Sequence, residues 1–155
     1  MTRRTRARHA LAALLLLAAP SGAGAQRDST STEPSVRLTW LSVTNWLVEA
    51  GDTRILLDAY LTRIDRRLVE DDGSSHGTAM TDSTELRRLL RPAIPDLRLN
   101  WVLVGHGHWD HAFDAPAIAR LTGARILGSR TVCFQARALG IDPSRCVAVE
   151  GGETL

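Results

Sequence analysis

Apolar runs alternate with segments of helical character along the last third of the chain, and this alternation restricts the possible folds most. The run at residues 101–104 is continuous and apolar, as in a buried strand. It is followed by a predicted helix at 114–122, a strand at 125–127, a helix at 129–139 and a strand at 146–149. Strands that alternate with helices predict a layered α/β architecture.

Shorter elements are predicted upstream of this alternation. Three strands are expected at residues 36–41, 45–49 and 54–58. The sequence Ala50-Gly51-Asp52 marks a turn between the last two of them. Asp82, with Glu85 three residues later, predicts the start of a helix that ends before Pro92. Residues 70–80 are polar and contain glycine, so we expect an exposed loop there.

The first 25 residues have the pattern of a secretory signal peptide. Arginines near the start precede the apolar run 10–19, and small residues follow it up to Ala25. We therefore expect cleavage before Gln26 and a secreted or periplasmic protein, with an uncleaved N-terminal anchor as the alternative. The apolar run is too short to span a bilayer, which needs about 20 residues, so no membrane span is expected after cleavage. Residues 26–35 then form a flexible linker, and 36–155 form the folded domain.

Composition excludes several classes of protein. Hydrophobic residues make up 44% of the chain and charged residues 23%, which is ordinary for a globular domain and excludes a disordered or collagen-like chain. The formal net charge is +2, but four of the 19 basic residues lie in the predicted leader. The remainder has a slight acidic excess, so no nucleic-acid partner is expected.

The two cysteines, Cys133 and Cys146, leave two interpretations open. An exported protein meets an oxidising compartment, in which a pair of cysteines can form a disulfide. Alternatively, the two residues are small buried side chains in a helix and in the strand that follows it. We favour two buried thiols.

Three histidines and one aspartate lie within six residues, directly after the strand at 101–104. His106 and His108 are two residues apart, so their side chains can point the same way in an extended loop. Asp110 and His111 are adjacent and diverge unless the chain turns, which suits a second metal ion beside the first. Imidazole nitrogens with one carboxylate form a ligand set typical of zinc, although iron and manganese are also suitable. The loop is therefore a candidate metal centre.

This strand and its His-x-His-x-Asp-His loop resemble the signature of the metallo-β-lactamase superfamily. The resemblance extends to the predicted opening strands, including the strand that ends at Asp58, and downstream to Asp114, residues 122–124 and the pair Gly151-Gly152. These features are similar to a branch of bacterial metal-dependent hydrolases related to ascorbate-6-phosphate lactonases. The resemblance implies an α/β fold, the αββα sandwich of this family, with its N-terminal half in this chain.

The resemblance also implies roles for individual residues. His106 and His108 would bind a first metal ion, and Asp110 and His111 a second, with Asp110 as the candidate catalytic residue. Asp58 resembles an aspartate that accepts an imidazole N–H from a metal ligand and so fixes its orientation. The alternative for Asp58 is a turn residue at the end of a strand.

The other candidate residues have simpler interpretations. Asp114 is expected to be the N-cap of its helix rather than a metal ligand. His76 is expected to be an exposed loop residue rather than a substrate contact. Trp109 has two open interpretations, as a wall of the site or as a packing residue.

The implied activity is hydrolysis of a small molecule by a metal-bound hydroxide, with one or two Zn²⁺ ions, or Fe or Mn, as cofactor. An ester, a lactone, a phosphoester or an amide would be cleaved. Glyoxalase and lactamase substrates are less expected, because Ala112-Phe113-Asp114 stands where those branches have glycines. No histidine follows His111, so we expect a domain cut short at its C-terminus. The alternative function is a truncated or degenerate, non-catalytic metal-binding member of the same fold, and the sequence leaves the oligomeric state open.

Overall fold

The computed structural model describes residues 35–64 and 80–154. Its strands are β1 (Val36–Ser42), β2 (Asn45–Ala50), β3 (Thr53–Leu57), β4 (Trp101–Leu103), β5 (Arg125–Gly128) and β6 (Cys146–Ala148). Its helices are α1 (Ser83–Leu90), α2 (Trp109–Ala112), α3 (Ala115–Thr122) and α4 (Arg130–Ala138). The predicted signal peptide, almost all of the linker and of the loop at 70–80, and His76 lie outside the described residues.

The six strands form one mixed sheet in the order β1-β2-β3-β4-β5-β6. The first three strands pair antiparallel as a meander, and β3 to β6 pair parallel. The parallel strands are connected through helices, as parallel pairing requires. The predicted layered α/β architecture is therefore confirmed.

Local signals place several element boundaries where the sequence predicts them. The Asp82 carboxylate accepts hydrogen bonds from the backbone N–H groups of Thr84 and Glu85, at 2.8 and 3.2 Å, and so begins α1. Helix α3 ends at Gly123, whose φ of +81° suits a residue without a Cβ atom. Helix α2 was not predicted. Within residues 35–64 and 80–154, no helix has both the length and the apolar character needed to cross a membrane.

One face of the sheet packs against the helices and forms the core. A row of register partners crosses this face from β2 to β5, and each of its members is fully buried: Leu47, Leu56, Val102 and Ile126. Leu90 of α1 and Ile118 of α3 belong to the same buried cluster. The alternation of side chains along the strands therefore directs one apolar set toward the helices.

The opposite face is also apolar, and it is exposed on β1 and β2 and half-buried on β3 to β6. A second row of register partners crosses all six strands: Trp40, Trp46, Leu57, Leu103, Leu127 and Val147. Trp40 and Leu38 are each 61% exposed, and Trp46 is 40% exposed. Among the described residues, no helix covers this face. The described part of the chain is therefore a two-layer unit with an apolar sheet surface open to solvent.

Cys133 of α4 and Cys146 of β6 form a disulfide, with their Cα atoms 5.6 Å apart. The expectation of two buried thiols was therefore wrong. Helix α4 packs against β5 and β6, and this packing brings a residue from the middle of the helix next to the first residue of the strand. The distance between the two residues depends on tertiary packing, which the sequence spacing of 13 does not reveal.

Candidate metal centre

The histidine-rich loop begins where β4 ends, at the carboxyl edge of the parallel strands. Asp58 follows the neighbouring strand β3, and its N–H donates to the carbonyl of Leu103 at 2.7 Å. Asp58 adopts φ of +55°, a left-handed conformation that aspartate and asparagine tolerate better than most residues. The register of β3 and β4 thus places Asp58 beside the start of the loop. Ligand sites in open α/β sheets favour this edge.

Three of the four predicted ligand residues converge. His106, Asp110 and His111 each offer one ligand atom, and these atoms all lie within 4.8 Å of one another. The rings of His106 and His111 have their centroids 4.0 Å apart. Asp110 and His111 lie in helix α2, and the turn of this helix lets two adjacent residues face the same site. His111 Nε2 is 3.6 Å from Asp110 Oδ2.

His108 joins this cluster through His106. His106 Nε2 and His108 Nδ1 are 3.0 Å apart, so the two imidazoles share one hydrogen bond. Both residues are exposed, whereas Asp110 and His111 are half-buried. The cluster therefore opens to solvent on the side of His106 and His108.

Asp58 contacts the histidine loop through both of its carboxylate oxygens. Oδ2 is 2.8 Å from Nδ1 of His111, and Oδ1 accepts a hydrogen bond from the N–H of Gly105 at 2.9 Å. The side chains of Asp58 and His111 are only 15% and 18% exposed. With Nδ1 engaged by Asp58, His111 presents Nε2 toward Asp110. The sequence offered a ligand-orienting role and a turn residue as alternatives for Asp58. The structure shows the contact to His111 that the first role requires, at a residue that directly follows a strand.

Trp109 lies beside the cluster. Its ring meets Tyr60 edge to face with centroids 5.2 Å apart, while 44% of the residue stays exposed. Trp109 therefore packs on one edge and presents its other side at the mouth of the site. Both interpretations offered by the sequence fit this position.

The family model of the metallo-beta-lactamase superfamily matches residues 38–143, which is most of the chain.

The chain belongs to the metallo-β-lactamase superfamily.

Individual relatives agree with this assignment. A metal-dependent hydrolase of Methanopyrus kandleri is 29% identical over 107 residues, which cover 69% of this chain and 36% of the relative. A hydroxyacylglutathione hydrolase of Pseudomonas aeruginosa is 42% identical over 59 residues, which cover 38% of this chain and 23% of the relative. Igni18, a metallo hydrolase from Ignicoccus hospitalis, has a similar fold with a TM-score of 0.51 and 22% identity, over 76% of this chain and 41% of that one. The chain thus spans well under half of these superfamily members.

This coverage agrees with the architecture. The metallo-β-lactamase fold is an αββα sandwich, and the described residues supply one sheet with the helices on its outer side. The exposed apolar face of the sheet is the face that a second sheet would cover in such a sandwich. The predicted fold class is confirmed.

Asp114 supports the centre in a way that the sequence did not predict. It occupies the N-cap position of α3, but its side chain makes no capping hydrogen bond. Pro116, in the first turn, lacks one of the N–H groups that a cap would bind. The buried Asp114 carboxylate instead accepts from the N–H groups of Leu61 and Thr62 at 2.6 and 2.8 Å, and from the hydroxyls of Thr62 and Thr81 at 2.7 and 2.9 Å.

Asn45 supports the same segment from β2. The residue is fully buried. In the amide orientation that matches donors with acceptors, its NH₂ group donates to the Tyr60 carbonyl at 2.8 Å and its oxygen accepts from the Tyr60 N–H at 3.2 Å. The N–H of Ala59 also donates to the His111 carbonyl at 2.7 Å. Residues 59–62 therefore connect the centre to the sheet through buried hydrogen bonds.

The donor set of the cluster fits a metal ion of the superfamily. Imidazole nitrogens and a carboxylate oxygen match zinc, and iron or manganese bind similar sets. His106, Asp110 and His111 would hold an ion together, and His108 would add a fourth donor. The Asp58 contact to His111 is the kind of outer hydrogen bond that metal-binding histidines have in proteins.

Proposed function

We propose that this protein is a metal-dependent hydrolase whose metal ions are bound by His106, His108, Asp110 and His111, with Zn²⁺ as the first candidate. The observation that carries the proposal is the convergence of His106, Asp110 and His111, with Asp58 holding His111 in place. A loop that brings three imidazoles and a carboxylate together offers the donor set of a transition-metal site.

Each residue has a defined task in this proposal. A bound metal ion would supply an activated water and a positive charge beside the substrate oxygen. His106 and His108, on the exposed side, bind the ion where a substrate can approach. Asp110, whose side chain is 44% exposed and lies 3.6 Å from His111 Nε2, would bind the ion and would accept a hydrogen bond from a water at the site. Asp58 would keep His111 oriented with Nε2 free to bind the ion.

The substrate is proposed to be a small molecule with an ester, lactone, phosphoester or amide bond. Relatives named as metal-dependent hydrolases support hydrolysis in general. The relative named hydroxyacylglutathione hydrolase adds a hydroxyacylglutathione to the set, although the sequence made glyoxalase substrates less expected. A groove of about 410 Å³ between α3 and α4 reaches the loop at Gly107 and Trp109. This volume lies within the range of small-molecule sites.

Metal content and hydrolysis, measured on the same samples, test the proposal. The chain is loaded with Zn²⁺, Mn²⁺ or Fe²⁺, dialysed, analysed for metal, and assayed against a carboxylic ester, a lactone, a phosphomonoester, an amide and S-lactoylglutathione. We expect His106→Ala and His108→Ala to lose metal and activity. His76→Ala serves as the matched control, because it removes a histidine that is not part of the loop sequence. A full metal content and unchanged hydrolysis in both loop variants would contradict the proposal.

A non-catalytic metal-binding protein is the second candidate. Catalytic zinc normally has three protein ligands and a water, whereas among the described residues two ions would have to share the four residues of the loop. The chain would then bind metal weakly without turnover. The same assay separates the two candidates, because metal retention without hydrolysis of any substrate favours the second.

A further inference from the structure

Two hydrogen bonds from side chains, one on each side of His106, hold the backbone of the histidine loop. On one side, the N–H of Gly105 donates to Asp58 Oδ1 at 2.9 Å. On the other side, the carbonyl of Gly107 accepts from Nε2 of Gln135 at 3.1 Å. The first contact comes from the end of β3, and the second comes from helix α4.

Helix α4 also touches the loop by close packing. A Cβ atom added at Gly107 would lie 3.2 Å from Cγ2 of Thr131 and 3.6 Å from Oε1 of Gln135. Thr131 and Gln135 are four residues apart and therefore lie on the same side of α4. At Gly107 the loop backbone is thus in close contact with helix α4.

Other contacts hold α4 itself in position. Val132 and Ala136 are buried in the core on the helix side of the sheet. Cys133, two residues before Gln135, is joined to Cys146 of β6 by the disulfide. The helix therefore connects the edge of the sheet, through Gln135, to the backbone between His106 and His108.

We propose that Gln135 is a positioning residue for the metal centre, and that the Cys133–Cys146 disulfide maintains the helix position on which its effect depends. Gln135 does not reach the metal ligands themselves. Its hydrogen bond fixes the Gly107 carbonyl and so sets the spacing of the His106 and His108 side chains. This inference rests on the proposed metal site and assigns that site a support on α4.

Substitution of Gln135 by methionine tests the proposal. Gln135→Met keeps the length and helix propensity of the side chain but removes its N–H donor. Loss of one hydrogen bond of ordinary strength predicts about fivefold weaker Co²⁺ binding, measured by competition with a chromophoric chelator. The visible spectrum of bound Co²⁺ should also change, whereas the Tm of the metal-depleted protein should fall by about 5 °C at most, because only one exposed hydrogen bond is lost. Arg137→Met is the control on the same helix, since Arg137 lines a surface depression with Phe134 and Ala148.

The disulfide provides a second, independent measurement. The double variant Cys133→Ala/Cys146→Ala should weaken Co²⁺ binding without any reductant present. Adding Gln135→Met to the double variant should lower the Co²⁺ affinity by a smaller factor than Gln135→Met does in the wild type, because both changes act through helix α4. Fully additive effects would contradict the part assigned to the disulfide.

The outcomes also separate this inference from the proposed function. A wild-type chain that binds no Co²⁺ would contradict the proposed metal site, and with it this inference. If the wild type and Gln135→Met bind Co²⁺ with the same affinity and the same visible spectrum, the result would contradict the role of Gln135 but leave the proposed metal site intact. Equal weakening in Gln135→Met and Arg137→Met would also contradict it, because the effect would then belong to the helix surface in general.

Discussion

Asp58→Asn is the substitution that tests the architecture of the centre most directly. Asp58 uses both carboxylate oxygens, one for the N–H of Gly105 and one for Nδ1 of His111. Asparagine has the same size but only one oxygen, so it cannot accept both hydrogen bonds. It also tolerates the φ of +55° at this position. The variant therefore changes the side-chain contacts without adding backbone strain.

The expected effect is a loss of metal affinity of about 10- to 100-fold. A hydrogen bond to a charged group contributes about 1.5–3 kcal/mol, and the hydrogen bond between Asp58 and His111 is largely shielded from solvent, with both side chains under 20% exposed. A free energy of this size corresponds to about one to two orders of magnitude in a binding constant. Mutation of residues that accept hydrogen bonds from metal-bound histidines lowers metal affinity by a similar factor.

Competition with a chromophoric chelator measures Zn²⁺ affinity for the wild type, for Asp58→Asn and for Asp52→Asn. Asp52 lies in the exposed turn between β2 and β3 and makes the matched control. We expect Asp52→Asn to bind Zn²⁺ as the wild type does. If Asp58→Asn also kept wild-type affinity, His111 would not depend on Asp58 for its orientation, and the reasoning would be refuted.

Three further predictions concern stability, association and export. Asp114→Asn replaces an acceptor of four hydrogen bonds with a group that carries two donors, so we expect the protein to be destabilised by about 3 kcal/mol. The Tm measured by circular dichroism should then be about 10 °C lower, and an unchanged Tm would contradict the structural role of this residue. Trp40→Ser and Leu38→Ser should reduce self-association in sedimentation velocity, because both side chains lie on the exposed apolar face. Equal association of the variants and the wild type would exclude that face as the surface through which the chains associate. Expression in a bacterial host should yield a periplasmic species beginning at Gln26, and N-terminal sequencing that finds Met1 there would contradict cleavage.

The sequence by itself determined the order and type of most elements, and it located the histidine loop. Residues close together in the chain carry these signals. Asp82 caps α1 through the next two to three residues, and Gly123 ends α3 through its own backbone conformation. The His-x-His-x-Asp-His spacing lies within six residues, so the sequence alone was sufficient to recognise the loop.

Only the tertiary structure decided how this loop is supported. Asp58 meets His111 across 53 residues, and Gln135 meets Gly107 across 28. Asp114 looked like a helix cap, but its carboxylate binds backbone and hydroxyl groups of residues 61, 62 and 81. The disulfide likewise depends on where α4 rests against β6. Such contacts follow from the sheet register and from helix packing, which arise from the burial of many side chains together, so no local pattern encodes them.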